Sequence, residues 1–162
     1  MPEQSDLAVR MRRLEDLNAI RELKARYFRY MDTRDWAAML DVFTADAVMD
    51  MRAVEAELAA AGIITDPARL LTTGRDTIVP NMENSLVGTR TVHHGHMPEI
   101  EFESDDEARG IWPMEDIVEL PTGAPVARIH GYGHYIETYV REKDGHWRIQ
   151  HLRLVRLLVE NG

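Results

Sequence analysis

The sequence contains no cysteine among its 162 residues. That excludes disulfides, thiolate nucleophiles and zinc–thiolate centres together. It also has no apolar run long enough to cross a bilayer, and its opening, MPEQSDLAVRMRR, lacks the apolar core of a signal peptide. Positive charge is in the minority: 19 Lys and Arg against 28 Asp and Glu give a net charge of −9. That sign opposes a general attraction to nucleic acid or to anionic lipid. A soluble cytoplasmic protein acting on a small molecule, with no nucleic-acid or membrane partner, is therefore expected. Histidine is missing from the first 92 residues, and all seven histidines follow Val92.

What is present fits one folded domain over residues 1–162, since the apolar fraction of 44% is ordinary for a globular chain. Residues 6–31 carry Leu7, Met11, Leu14, Leu17, Ile20, Leu23, Tyr27 and Tyr30 at steps of three and four, which predicts an amphipathic helix. Asp32-Thr33-Arg34-Asp35 breaks it and caps a short second helix holding Trp36, Met39, Leu40 and Phe43. A short strand is expected over 47–51. The alanine-rich stretch that follows, Arg52 to Leu71, is helix-prone up to Gly62 and loop-like at Asp66-Pro67. Gly74-Arg75-Asp76 opens another helix, which Pro80 is expected to cut short.

From Thr89 the pattern turns to strands: 91–96, 100–103, 108–120, 126–141 and 147–159, divided by turn residues such as Lys143-Asp144-Gly145. Helices first and a strand meander after them indicate an α+β fold, an antiparallel sheet covered on one face by the N-terminal helices. Period two places Ala108, Gly110, Trp112, Met114 and Asp116 on one face, and Gly131, Gly133, Tyr135, Glu137 and Tyr139 on another. Glycine is costly inside a strand, so Gly131 and Gly133 point to a bend or to close approach by another group. The run Leu152–Val159 is apolar on both strand faces, which predicts that one face is buried against another subunit.

Chemistry concentrates in Thr91-Val92-His93-His94-Gly95-His96. Histidine is the usual proton carrier near neutrality, and an acidic residue docked on one ring nitrogen fixes its tautomer and makes it a competent base. His94 and His96 face away from His93, so the three do not converge on one ion; no metal site is expected. Asp32, at a helix C-terminus where the macrodipole disfavours a carboxylate, calls for a compensating partner.

The segments LNAIRELKARYFRYMDTRDW, TVHHGHMPEIEFES and ETYVREKDGHWRIQHLRL together resemble the SnoaL-like branch of the nuclear transport factor 2-like superfamily. That group includes scytalone dehydratase, a hexachlorocyclohexane dehydrochlorinase and bile acid 7α-dehydratase, the last being the member it resembles over nearly its whole length. The resemblance implies a cone-shaped, curved antiparallel sheet, a half-barrel whose mouth takes a hydrophobic substrate, and a homotrimer. It also implies catalytic roles for His93 and Asp32 as a dyad, Tyr27 as a pocket phenol and Asp116 as a pocket aspartate. Met51 stands where the bile acid enzyme has a further tyrosine, and the segment 52–71 is longer here.

Tyr30, Met51, Trp112, Met114 and Tyr135 are the expected substrate-binding residues. Tyr30 has an alternative as a simple packing residue, and Asp116 is either a protonated or paired carboxylate assisting an oxyanion or a strand-end residue in water. The activity expected is that of a cofactor-independent hydro-lyase (a dehydratase) on a polycyclic, steroid-like or aromatic hydroxy-carbonyl compound. A ketosteroid-type isomerase would use the same parts, and a non-catalytic assembly subunit like the small subunit of ring-hydroxylating dioxygenases shares the fold. An apolar lid or pocket wall is expected from 52–71, with Leu58, Ile63, Ile64, Leu70 and Leu71 toward the ligand.

Overall fold

The computed structural model describes residues 2–63 and 66–162. A long helix α1 (Pro2–Thr33) leads into the short α2 (Trp36–Met39), then β1 (Phe43–Asp50), α3 (Glu55–Ala60), β2 (Leu71–Thr73) and α4 (Arg75–Ser85). Five strands follow: β3 (Arg90–Gly95), β4 (Glu99–Phe102), β5 (Glu107–Glu119), β6 (Arg128–Arg141) and β7 (Trp147–Asn161). They form one seven-stranded sheet in the order β2-β1-β7-β6-β5-β3, with β4 also paired to β5. The sheet is curved and unclosed, and the helices cover its concave side. The expected antiparallel meander is present, with one exception: β1 lies parallel to β7. That strand arrives from the helical half of the chain, so it joins the sheet by a crossover and is free to run in either direction.

Three local expectations are corrected. The strand β2, which begins where the segment 52–71 ends, is an element that the sequence reading lacks. Helix α4 continues through Pro80 to Ser85, its inward side chains Ile78, Val79 and Met82 all buried. Packing of that apolar side outweighs the one backbone bond that proline removes. Helix α1 is buried only from Asp16 onward; Leu7, Met11 and Leu14, read as part of its apolar stripe, are exposed.

The curvature has a visible origin in β6. Register slips between Tyr132 and Gly133, and again between Thr138 and Tyr139, where β6 pairs with β7. At Gly133 a Cβ would lie 2.1 Å from the carbonyl oxygen of Val155, so only glycine lets β7 close in at that bend.

Two charged clamps hold α1 on the sheet. Arg141 donates two hydrogen bonds to Asp16, at 2.7 and 2.8 Å, and Trp147 Nε1 donates to the same carboxylate at 3.1 Å. Deeper, Lys24 pairs with Glu137, and both side chains are fully buried. Glu137 also accepts from the Tyr139 hydroxyl, which accepts from Trp112 Nε1 at 2.7 Å. The Lys24 ammonium lies over the rings of Tyr27 and Tyr135, 4.0 and 3.6 Å from their centroids. Burial lowers the Lys24 pKa to about 8, against the pull of Glu137.

Removing one partner of such a pair strands the other as an isolated buried charge. Lys24→Met is therefore expected to cost about 3–5 kcal/mol of stability in chemical denaturation. Adding Glu137→Gln, which neutralises the carboxylate and keeps an acceptor for Tyr139, is expected to restore more than half of that loss.

Candidate active site

The last turn of α1 carries Asp32, and β3 runs past it. Oδ1 of Asp32 accepts from Thr91 Oγ1 at 2.9 Å and meets His93 Nδ1 at 2.7 Å; Oδ2 accepts the His93 backbone N–H at 2.9 Å. Burial by itself would raise the Asp32 pKa. The hydrogen bonds from the His93 ring and backbone and from Thr91 outweigh it, and the carboxyl is held below its ordinary value. An ionised Asp32 accepts a proton-bearing Nδ1, which leaves Nε2 as the basic nitrogen of neutral His93.

Arg34 secures this corner. It leaves the helix with φ 62°, the left-handed conformation in which helices often end. Its guanidinium donates to the Met31 carbonyl at 2.6 Å, to Thr91 Oγ1 at 3.0 Å and to the Thr89 carbonyl at 2.9 Å. The end of α1 and the start of β3 are thus tied through one side chain, which also supplies positive charge where the helix dipole is negative.

His93 faces Asp116 directly across the β3–β5 ladder. On the next strand the partner of Asp116 is Gly131. Arg156 reaches from β7 across that glycine and grips both oxygens of Asp116, at 2.7 and 2.5 Å. A Cβ on Gly131 would sit 1.2 Å from Arg156 Nη1 and 2.6 Å from Asp116 Oδ1, so the ion pair occupies the space a side chain would need. The close approach expected at Gly131 is therefore made by a guanidinium.

His93, Asp116 and Arg156 line a cavity of about 200 Å³ between α1, α4 and the concave face of the sheet, together with Tyr27, Met51 and Tyr135. Burial, with the negative charge of Glu137 nearby, raises the Tyr27 pKa far above its ordinary value, so its phenol stays protonated and can donate. Burial does the same for Tyr135. Asp32 stands behind His93 rather than in the cavity wall.

Three expected pocket residues do not line this cavity. Trp112 and Met114 share the concave row with Asp116 but lie within the buried core beside Phe28, and the Trp112 N–H is spent on Tyr139. Tyr30 is half-buried at the edge of the core with Arg29 over its ring, since a three-residue step from Tyr27 turns it off the inward face. Asp116 is a paired carboxylate, able to accept but not to donate, so the donor beside it is Arg156. His94 is largely exposed, 4.0 Å from Glu115, and His96 is exposed. Among the described residues no cluster of three or more His, Asp or Glu is arranged to hold a metal ion. Of the segment 52–71, Leu58, Ile63 and Leu70 line a second space adjoining the first, whereas Leu71 points outward on β2; Ile64 lies outside the described residues.

Arg156 and Arg34 were not singled out in the sequence as site residues, and Thr91 was named only as part of the histidine-bearing stretch. Arg156 carried the clearest signal: it interrupts an apolar strand run and sits in the strand beside two glycines.

The cone and its covering helices agree with comparison to known proteins. A SnoaL-like domain model matches residues 12–153. The chain belongs to the SnoaL-like family. Its fold recurs in a candidate scytalone dehydratase from Novosphingobium aromaticivorans, at 22% identity and TM-score 0.75, covering 93% of this chain and 90% of that one. It recurs also in a hexachlorocyclohexane dehydrochlorinase, LinA type 2, at 20% identity and TM-score 0.76, covering 94% and 92%. The type 3 LinA of Novosphingobium barchaimii gives 19% identity and TM-score 0.75, covering 94% and 93%.

Glycine to alanine inside a strand ordinarily stabilises by about 0.5–1 kcal/mol. At Gly131 the sign should reverse. Alanine there expels Arg156 and leaves Asp116 buried without its partner, at a cost of about 3–5 kcal/mol, measurable by urea denaturation against wild type.

Proposed function

We propose that this SnoaL-like protein is a cofactor-independent lyase that eliminates water from a hydrophobic polycyclic, steroid-like or aromatic hydroxy-carbonyl compound. The observation that carries this reading is the His93 Nδ1 to Asp32 contact of 2.7 Å on the wall of a cavity. His93 Nε2 removes the proton next to a substrate carbonyl, and Asp32 stabilises the imidazolium that forms. The Tyr27 phenol, protonated because it is buried, donates to the carbonyl oxygen as it gains enolate charge. The enolate then expels the hydroxyl, which takes the proton from His93 and departs as water; the alkene is the other product. Arg156 and Asp116 supply a fixed donor and acceptor pair for a substrate oxygen on the facing side. The names of the structural neighbours support the reaction class: a dehydratase and a dehydrochlorinase both remove a small acid HX and leave a double bond.

Isomerisation is the second reading, favoured by the same base. A proton returned to a different carbon, with no loss of hydroxyl, would need nothing beyond His93 and Tyr27. A panel of polycyclic β-hydroxy ketones, followed by growth of enone absorbance and by mass, separates the two. His93→Ala is expected to lower kcat by about 10²- to 10⁴-fold, with Asp32→Asn also severe and Tyr27→Phe raising KM as well as lowering kcat. A double bond shifted without mass loss assigns isomerisation. Ligand binding with neither reaction across the panel assigns a non-catalytic binding subunit and ends the proposal.

We also propose that the protein is a homotrimer. The support is apolar surface with no cover inside the chain: Leu157 is 71% and Leu158 53% exposed near the end of β7, and Val92, Ile111 and Ile136 are exposed on strands. Light scattering at micromolar concentration should give three times the chain mass of 18.6 kDa. A monomer mass would count against it.

A further inference from the structure

The first half of α1 presents an apolar side that its own chain leaves uncovered. Asp16, Ile20, Leu23 and Tyr27, which meet the sheet, are buried, whereas Leu7, Met11 and Leu14 are 56%, 54% and 66% exposed. Steps of four and three place those three side chains within an arc of about 60°, and that arc lies opposite Ile20 and Leu23 on the helix. They are therefore not a frayed continuation of the buried side. They form a second stripe, turned away from the sheet. Arg10 flanks it on one side and Glu15 on the other, both exposed and neither in a salt bridge among the described residues.

The convex face of the sheet carries a groove of matching make-up. One row crosses four strands: Glu99 of β4 faces Ile111 of β5, Ile111 faces Ile136 of β6, and Ile136 faces Arg153 of β7. Ile111 and Ile136, each 40% exposed, belong to the lining of a depression of about 580 Å³, with Glu99 on one side. Arg153 lies one strand beyond it. Glu99 and Arg153 are exposed, and neither forms a salt bridge among the described residues. In the next row Arg109 is already paired with Glu101, at 2.6 Å. Three strand spacings put Glu99 and Arg153 about 14 Å apart at the backbone, enough to straddle a helix about 10–12 Å across. The row reads acid, apolar, apolar, base. The stripe reads base, apolar, acid.

The groove's own chain cannot supply this helix. α1 is continuous from Pro2 to Thr33, and Asp16 and Lys24 fix its second half to the concave side, whereas the groove opens on the convex side.

We propose that the Leu7, Met11 and Leu14 stripe of one copy docks in the Ile111 and Ile136 groove of a second copy, with Arg10 against Glu99 and Glu15 against Arg153. This rests on the homotrimer reading and is independent of the lyase reading. Helix and groove are different surfaces, so each copy gives one and receives one, and a head-to-tail contact of this kind closes as a ring.

The chain has no cysteine, so introduced cysteines report one contact at a time. The double variant Met11→Cys with Ile136→Cys is oxidised and run on a non-reducing gel. Covalent dimers and trimers are expected, while neither single variant links. The two positions lie on opposite sides of the sheet, so every link joins two copies. Sedimentation velocity over a concentration series gives a second measure. Leu14→Glu and Ile136→Lys, both at exposed positions, should each raise the concentration at which the oligomer dissociates by about 10- to 100-fold. Arg10→Glu should raise it about fivefold, and adding Glu99→Arg in the same chain should reverse that rise.

Links from Met11→Cys alone assign a helix-to-helix contact, and links from Ile136→Cys alone a sheet-to-sheet contact; either overturns the proposal. So does a double variant that stays unlinked. A trimer whose dissociation is unmoved by Leu14→Glu overturns the docking and leaves the homotrimer standing. A wild-type protein that sediments as a monomer ends both.

Discussion

Everything in the concave half of this protein hangs on a charge pair with no water around it. Lys24 and Glu137 are both fully buried, one on α1 and one on β6, and their pairing fixes how the helix sits on the sheet. A buried ion pair is a poor source of net stability, because desolvating two charges consumes most of what their attraction returns. What it supplies is registry: an apolar helix face could slide on an apolar sheet, whereas this one has a single position in which neither charge is stranded. The same ammonium lies against Tyr27 and Tyr135. The depth of Asp32 at the far end of α1, and so its reach to His93, follows from where Lys24 is held.

The site itself is assembled from two directions. From the helix end, Asp32, Thr91 and Arg34 form a chain of hydrogen bonds that sets the imidazole. From the sheet, β3, β5, β6 and β7 each contribute one position to a single row: His93, Asp116, Gly131 and, reaching over, Arg156. His93 and an ion pair are thus placed on neighbouring strands, rigid elements, while the segment between β1 and β2 closes the adjoining outer space. That division lets the outer wall change without moving His93.

Much of this was legible in the chain, and the reasons differ by element. The boundaries of the last five strands came within about two residues because period two and turn chemistry act locally, whereas β1 begins four residues before the expected start. The row through Gly131 was visible as an anomaly, since glycines at alternate positions of a strand need a cause outside the strand. The identity of that cause was not visible: it depends on β7 slipping register beside Gly133, which no pattern in β7 announces. Tyr30, Trp112 and Met114 were misplaced for a related reason. Sharing a face with a site residue shows which side of the sheet a side chain is on, but not whether a helix covers it there. Pro80 was read by its local effect, and the buried face of α4 outweighed that effect.

Gly131 and Arg156 also constrain the order in which this site can change over generations. While the arginine holds Asp116, any side chain at position 131 must displace its guanidinium, because that space is already filled. Once the arginine is lost, the glycine is released, and any side chain that then settles there bars the arginine's return. The step is a ratchet: a lineage that gives up this ion pair does not readily recover it. Its descendants must find another partner for Asp116 or replace that carboxylate as well.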